Sequence, residues 1–123
     1  RQEFLYQPEF NIELGQQYVL HLLAAEGIAN DLLLTIAAYN GGPGNLRKWL
    51  RRTEFRHDPL LFKEALPARE TRRFIDHVFT NLWIYRARLG EVAPSLDAMA
   101  SGAWPTYDPQ ESAARSHFAN AGN

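Results

Sequence analysis

The sequence predicts an all-α fold, on three observations. Apolar residues recur at helical spacing, most plainly at Phe74, Val78, Leu82, Tyr85 and Leu89, whose separations of 4, 4, 3 and 4 residues lay them along one stripe. Glycine and proline stand where such stretches stop or start, at Gly27, Gly41, Gly42, Pro43, Pro67 and Gly90. No segment alternates polar and apolar residues as a half-buried strand does.

Taken in order, Pro8 closes a short opening segment and Asn11 is a plausible N-cap for a helix carrying Ile12, Leu14, Tyr18, Val19, Leu22 and Leu23, with Gly27 as its stop. A second helix from Asn30 or Asp31 carries Leu32, Leu33, Leu34, Ile36, Ala37 and Ala38 and is apolar nearly all round, as a central helix is. Gly41, Gly42, Pro43 and Gly44 break it. Gly41 or Gly42 is free to take the left-handed conformation that ends a helix, and Pro43 suits the first turn of the next. That next helix, Asn45 to Arg52, is short and basic, with Leu46, Trp49 and Leu50 as its inner face. Asp58 and Pro59 open another through Leu66, Pro67 breaks it, and a long helix runs from about Arg69 to Leu89. A short helix near Ser95 to Ala100 precedes a weakly structured tail. Residues 1–92 therefore read as the main domain and 93–123 as helix and tail.

Composition excludes several functions. With 123 residues, 46% of them hydrophobic, the chain suffices for one core. A formal net charge of -1 offers no field to gather nucleic acid. Having no cysteine removes disulfides and thiolate metal sites, and His21, His57, His77 and His117 lack the spacing of a metal motif. No cofactor or metal is indicated. No apolar run approaches the roughly 18 residues of a membrane span. Arg1-Gln2-Glu3-Phe4 holds no apolar signal region, which fits an intracellular chain or one whose leader has been removed.

The chemistry points to the glycine corner. Ala37-Ala38-Tyr39-Asn40-Gly41-Gly42-Pro43-Gly44 resembles the Ala-Tyr-Asn-(Ala/Gly)-Gly-Pro-Gly signature of lytic transglycosylases with the soluble type of lysozyme-like domain. Upstream, Asn11-Ile12-Glu13-Leu14-Gly15-Gln16-Gln17-Tyr18 resembles that family's Asn-Ile-x-x-Gly-x-x-Tyr opening. Downstream, Leu66-Pro67-Ala68-Arg69-Glu70-Thr71-Arg72-Arg73-Phe74 resembles its Pro-x-x-Glu-Thr-Arg-x-(Tyr/Phe) segment, ahead of a long helix ending in Ile84-Tyr85-Arg86. The three matches, in family order, cover about residues 8 to 90.

The resemblance implies that Tyr39 and Asn40 line a glycan groove, the tyrosine hydroxyl bonding a sugar substituent or the catalytic acid and the asparagine suiting an acetamide. Taken alone, Tyr39 is a core ring and Asn40 a cap. Glu70, in the first turn of the long helix, is better placed to accept hydrogen bonds than to donate a proton, and the resemblance sets it in the groove; otherwise it balances Arg72 and Arg73. Tyr85 is a further groove candidate, although aromatics on a long helix commonly belong to the core, where Trp83 is assigned. Arg47, Lys48, Arg51 and Arg52 read as a solvated face, with contact to acidic stem peptides of the cell wall as the alternative.

In the resembled family one Glu protonates the leaving oxygen of the MurNAc-GlcNAc β-1,4 bond and then acts as base on the sugar's own hydroxyl, giving a 1,6-anhydro product. Its Glu-Ser-x-Phe segment, and the Ser-x-x-Gly-Ala-x-Gly-Leu-Met-Gln stretch that follows, lie upstream of the Asn-Ile helix. Neither is present, so this chain is expected to hold no catalytic residue, the acid lying upstream of Arg1. Glu3, Glu9, Glu13, Glu26, Glu54, Glu64 and Glu111 stand in polar, loop or terminal contexts unsuited to holding a proton.

The expectation is the C-terminal half of a periplasmic peptidoglycan lytic transglycosylase domain, inactive alone, whose partners are glycan strands and the missing N-terminal half. The alternative is a non-catalytic glycan-binding or interaction module derived from it. Goose-type lysozyme shares the architecture and differs in its product. The second helix and the long helix are expected to expose apolar surface that the upstream half would cover, so that the isolated chain is poorly soluble, self-associates or is accompanied by further sequence.

Overall fold

A computed structural model describes residues 16–55, 57–108 and 111. The described residues form six α-helices: α1 Gln16–Ala24, α2 Leu32–Gly41, α3 Pro43–Arg52, α4 Pro59–Ala65, α5 Arg69–Arg88 and α6 Pro94–Ala100. Among them the only β-type pairing is an isolated antiparallel bridge between Asp31 and Thr106. The Asn11 helix opening, Glu3, Glu9, Glu13, His117 and the run from Ser112 lie outside the described residues.

Helix α2 is the centre. Every residue from Leu32 to Ala38 is buried, as an all-round apolar helix requires, and α1, α3 and α5 pack on it. Its start is fixed by Asp31, whose Oδ1 accepts the Leu34 N–H at 2.8 Å, while Thr35 Oγ1 donates to the Asp31 carbonyl at 2.7 Å. Asp58 caps α4 in the same way, accepting from Leu60 and Leu61 N–H ahead of Pro59. Helix α3 starts at Pro43, two residues before Asn45, because proline at its first position loses no hydrogen bond there.

The expected exposure of α2 and α5 is not found. The chain's own helices enclose α2, and α5 exposes mainly polar residues, with Ile84 its one large exposed apolar side chain among the described residues. Exposed apolar groups sit elsewhere, at Tyr18, Leu20, Leu60, Leu61, Val92 and Leu96.

The buried face of α5 is also turned from the expected stripe. Thr71, Ile75, Val78, Phe79, Leu82 and Arg86 are buried, whereas Phe74, Tyr85 and Leu89 are half-buried on its flank. Spacing fixes that a stripe exists; the contact with α2 fixes where its centre lies. Arg86, 5% exposed, donates from Nε to the Val92 carbonyl at 2.8 Å and holds the α5–α6 turn.

The stretch after α6 packs as a strap. Leu32 N–H donates to the Pro105 carbonyl and Tyr107 N–H to the Asn30 carbonyl, each at 2.8 Å. Trp104 meets Phe55 and Phe62 at ring separations of 5.9 and 5.7 Å, and its Nε1 donates to the His57 carbonyl at 2.9 Å. Glu111 departs from the polar, terminal context expected of it: it is 1% exposed. Its Oε2 accepts from Ser95 Oγ at 2.7 Å and Ser95 N–H at 3.3 Å, and that hydroxyl accepts from Trp83 Nε1 at 2.8 Å. Burial raises the Glu111 pKa above its ordinary value, partly offset by the Ser95 hydrogen bonds and by Arg86.

Candidate functional site

The corner between α2 and α3 is built by glycine for two different reasons. Gly42 adopts φ 92° and ψ 145°, outside the left-handed helical region expected of a cap and in a region essentially restricted to glycine. Its N–H still closes α2 on the Ala38 carbonyl at 2.7 Å. Gly41 belongs to the last turn of α2, where a Cβ would meet the Trp49 indole at 2.4 Å and Thr71 Oγ1 at 3.3 Å. It is a close-approach position: the indole tip of α3 lies on the backbone of α2. Asn45 Nδ2 donates to the Gly41 carbonyl at 2.8 Å and satisfies one of the acceptors a helix end leaves open.

Tyr39 and Asn40 precede this corner and are both half-buried. The Tyr39 ring lies almost parallel to Phe74, with centroids 6.0 Å apart and an interplanar angle of 8°, and is tilted against Tyr18 at 5.8 Å. Tyr18 itself is 42% exposed, so the aromatic group reaches the surface. Asn40 Oδ1 accepts from Thr71 Oγ1 at 2.7 Å. Its amide nitrogen has no partner among the described residues and keeps two donors for a ligand.

The three sequence segments thus meet in space: Tyr18 from the first, Tyr39 and Asn40 from the second, Thr71 and Phe74 from the third. Glu70 is exposed in the first turn of α5, next to Thr71 and one turn before Phe74 on the same face. Tyr85 is not brought to the corner. It lies fifteen residues after Glu70, about 22 Å along the axis at the α-helical rise, and is half-buried.

Four contributors were not read from the sequence as site residues. Thr71 fixes Asn40, and its only signal was its place between Glu70 and Arg72. Arg72 donates to the Leu66 carbonyl and braces the turn that delivers α5 to the corner. Tyr18 and Phe74 close the aromatic group, and each ends a quoted segment.

The family profile described as "Transglycosylase SLT domain" matches residues 1–62. The "Soluble lytic murein transglycosylase" of Escherichia coli (strain K12) is 35% identical over 98 residues, covering 80% of this chain and 15% of the relative. The protein of the same name from Salmonella typhimurium (strain LT2) is 36% identical over 87 residues, covering 71% of this chain and 13% of the relative. The chain thus spans about 15% of the length of the curated relatives it matches. No solved structure gives a significant match. With a profile match over half its length, coinciding with two of the three segments that converge on Tyr39 and Asn40, this chain belongs to the transglycosylase SLT domain family.

Proposed function

We propose that this chain forms one wall of the glycan groove in a periplasmic peptidoglycan lytic transglycosylase that cleaves the MurNAc-GlcNAc β-1,4 bond and leaves a 1,6-anhydro end. The observation that carries the reading is the convergence of Tyr18, Tyr39, Asn40, Thr71 and Phe74 on one half-exposed corner. An aromatic ring stack beside an amide with free donors suits a sugar bearing an acetamide: the rings meet the apolar sugar face and Asn40 Nδ2 donates to the acetamide oxygen. The Tyr39 hydroxyl is the second polar contact, and Glu70 accepts from a sugar hydroxyl. Tyr85, further along α5, would touch a more distant part of the strand. No helix of the described residues is long and apolar enough to cross a membrane.

The proton donor is assigned to the parent protein outside these residues. Glu70 is exposed to solvent in the first turn of α5. Glu111 is 1% exposed and clamped to Ser95, which no substrate reaches. Its neighbour Trp83 stands twelve residues, about 18 Å, along α5 from Thr71.

The test is digestion of purified peptidoglycan by the full-length protein, followed by mass spectrometry of released muropeptides. The wild type is expected to release 1,6-anhydro ends. Tyr39→Phe is expected to lower turnover about tenfold, the worth of one site hydrogen bond, with folding retained. Hydrolysed reducing ends would refute the lyase reading, and unchanged turnover would remove Tyr39 from the site.

A further inference from the structure

We propose that the strap after α6 is a proton-controlled latch on the start of α2, closed while Asp31 and Glu111 are neutral and released as they ionise. Residues 103–108 form no helix and leave α6 through Gly102, which is exposed and sits at φ 83°, a conformation that glycine adopts without strain and that suits a hinge. Few bonds hold the strap to the rest of the chain. Leu32 N–H donates to the Pro105 carbonyl, Tyr107 N–H to the Asn30 carbonyl, and the Asn30 amide to the Tyr107 carbonyl at 3.4 Å. Trp104 is the apolar anchor, set against Phe55 and Phe62.

A carboxylate stands at each end of this contact. Asp31 is half-buried and pairs with Thr106 in the antiparallel bridge. Glu111 is 1% exposed, and while its Oε2 accepts from Ser95, its Oε1 has no hydrogen-bond partner among the described residues. A dry, unpartnered oxygen is costly on an anion and much less so on a neutral acid. Burial is the largest influence on both groups and favours their protonated forms. Against it stand the Leu34 and Leu33 amides at Asp31, and Ser95 and Arg86 at Glu111, where Asp108 of the strap adds to the effect of burial. From the α3–α4 loop, His57 gives Trp104 only its carbonyl, and the Asp58 carboxylate is taken up by the Leu60 and Leu61 amides.

Ionisation loads the strap and not the helix beneath it. Asp31 Oδ1 caps α2 through Leu34 N–H in either state, and more strongly as an anion. Lifting the strap admits water to both carboxylates without unwinding a helix. The closed form holds the Asp31 proton more tightly than the open one does, with a pKa of about 6 against 3.8. Its advantage is therefore complete below 3.8 and is lost as pH rises through about 6. Release takes the Trp104 ring off Phe55 and Phe62 and frees Leu32 N–H in the first turn of α2.

The experiment is hydrogen exchange of the full-length protein read by mass spectrometry at about pH 5 and about pH 8, each rate corrected for the intrinsic pH dependence of exchange. Protection of the segments holding Leu32 and Tyr107 is expected to fall about five- to tenfold over that interval, while Val78 and Phe79 in α5 keep theirs. Asp31→Asn/Glu111→Gln mimics the neutral pair and should retain at about pH 8 the protection that the wild type shows at about pH 5. His57→Asn, which removes the histidine that titrates in the same interval, should respond as the wild type does. Protection of the strap that does not change with pH, a fall shared equally by α5, a double variant that keeps the fall, or a His57→Asn variant that loses it would each overturn the latch.

Discussion

Replacing Asp31 by Asn separates two roles of one carboxylate. As the N-cap of α2 it supplies an acceptor for Leu34 N–H; as a charge it stands between α2 and the strap, opposite Thr106. Burial raises its pKa from 3.8 to about 6, against the Leu34 and Leu33 amides, which lower it. A folded value above the unfolded one means that the stabilising contribution is complete below 3.8 and is lost as pH rises through about 6. A rise of that size corresponds to about 3 kcal/mol at pH above both values. Asp31 is half-buried and not fully enclosed, and the solvent that still reaches it reduces this to about 2 kcal/mol. Asn caps about as well as Asp and carries no charge. Asp31→Asn is therefore expected to be about 2 kcal/mol more stable than wild type near pH 7.5, and equal to it below pH 3.8, in urea unfolding followed by circular dichroism. A variant no more stable than wild type near pH 7.5 would refute the reasoning, since the charge would then be stabilising α2 despite its burial.

Thr71→Val keeps the shape of the side chain and removes the hydroxyl that holds Asn40 at 2.7 Å. It is expected to cost about 1–2 kcal/mol and to lower muropeptide release by the full-length protein, with Thr71→Ser restoring both; a fully active valine variant would show that Asn40 needs no fixing. Glu111→Ala leaves the buried Ser95 N–H and hydroxyl without their acceptor. It is expected to cost about 1–3 kcal/mol and to shift the emission of Trp83. Because burial raises the Glu111 pKa, that cost should be larger below 4.5, where the carboxyl is protonated in both states, than at neutral pH. An unchanged unfolding curve would mean that Glu111 does not hold the C-terminal segment.

What could be read from the sequence was what is encoded locally. Asp31 and the Asp58-Pro59 pair announce helix starts through side chains that act on the next three residues. The glycine corner announces itself because Gly42 needs a conformation other residues avoid. The strap gave no such signal: Trp104 bonds a carbonyl 47 positions away and Asn30 bonds one 77 positions away. Pro105 and its neighbours therefore read as tail. Glu111 misled for the same reason, since a glutamate near a terminus looks solvated until Ser95 and Trp83 are placed beside it. In α5 the periodicity was correct and its phase was not: Arg86 takes the buried position beside Tyr85 because its guanidinium satisfies the Val92 carbonyl. Thr71 was legible only as part of a motif, because its partner lies 31 residues earlier.

The division of labour within Glu70, Thr71 and Arg72 explains why their order matters and not only their presence. Successive residues on an α-helix point about 100° apart, so three in a row at a helix start face three directions. Thr71 turns inward, is 2% exposed, and donates to Asn40. Arg72 turns back to the Leu66 carbonyl and fixes the turn before Pro67. Glu70 is left facing solvent on the side of Phe74 and the Tyr39 ring. Exchanging Glu70 and Thr71 would keep the composition and place a carboxylate against Asn40 Oδ1, an acceptor facing an acceptor in a buried position. The hydroxyl, now outside, would have nothing to hold. A first helical turn that must at once brace its own loop, fix an asparagine on a neighbouring helix and present one carboxylate outward leaves a single arrangement of these residue types that satisfies all three demands.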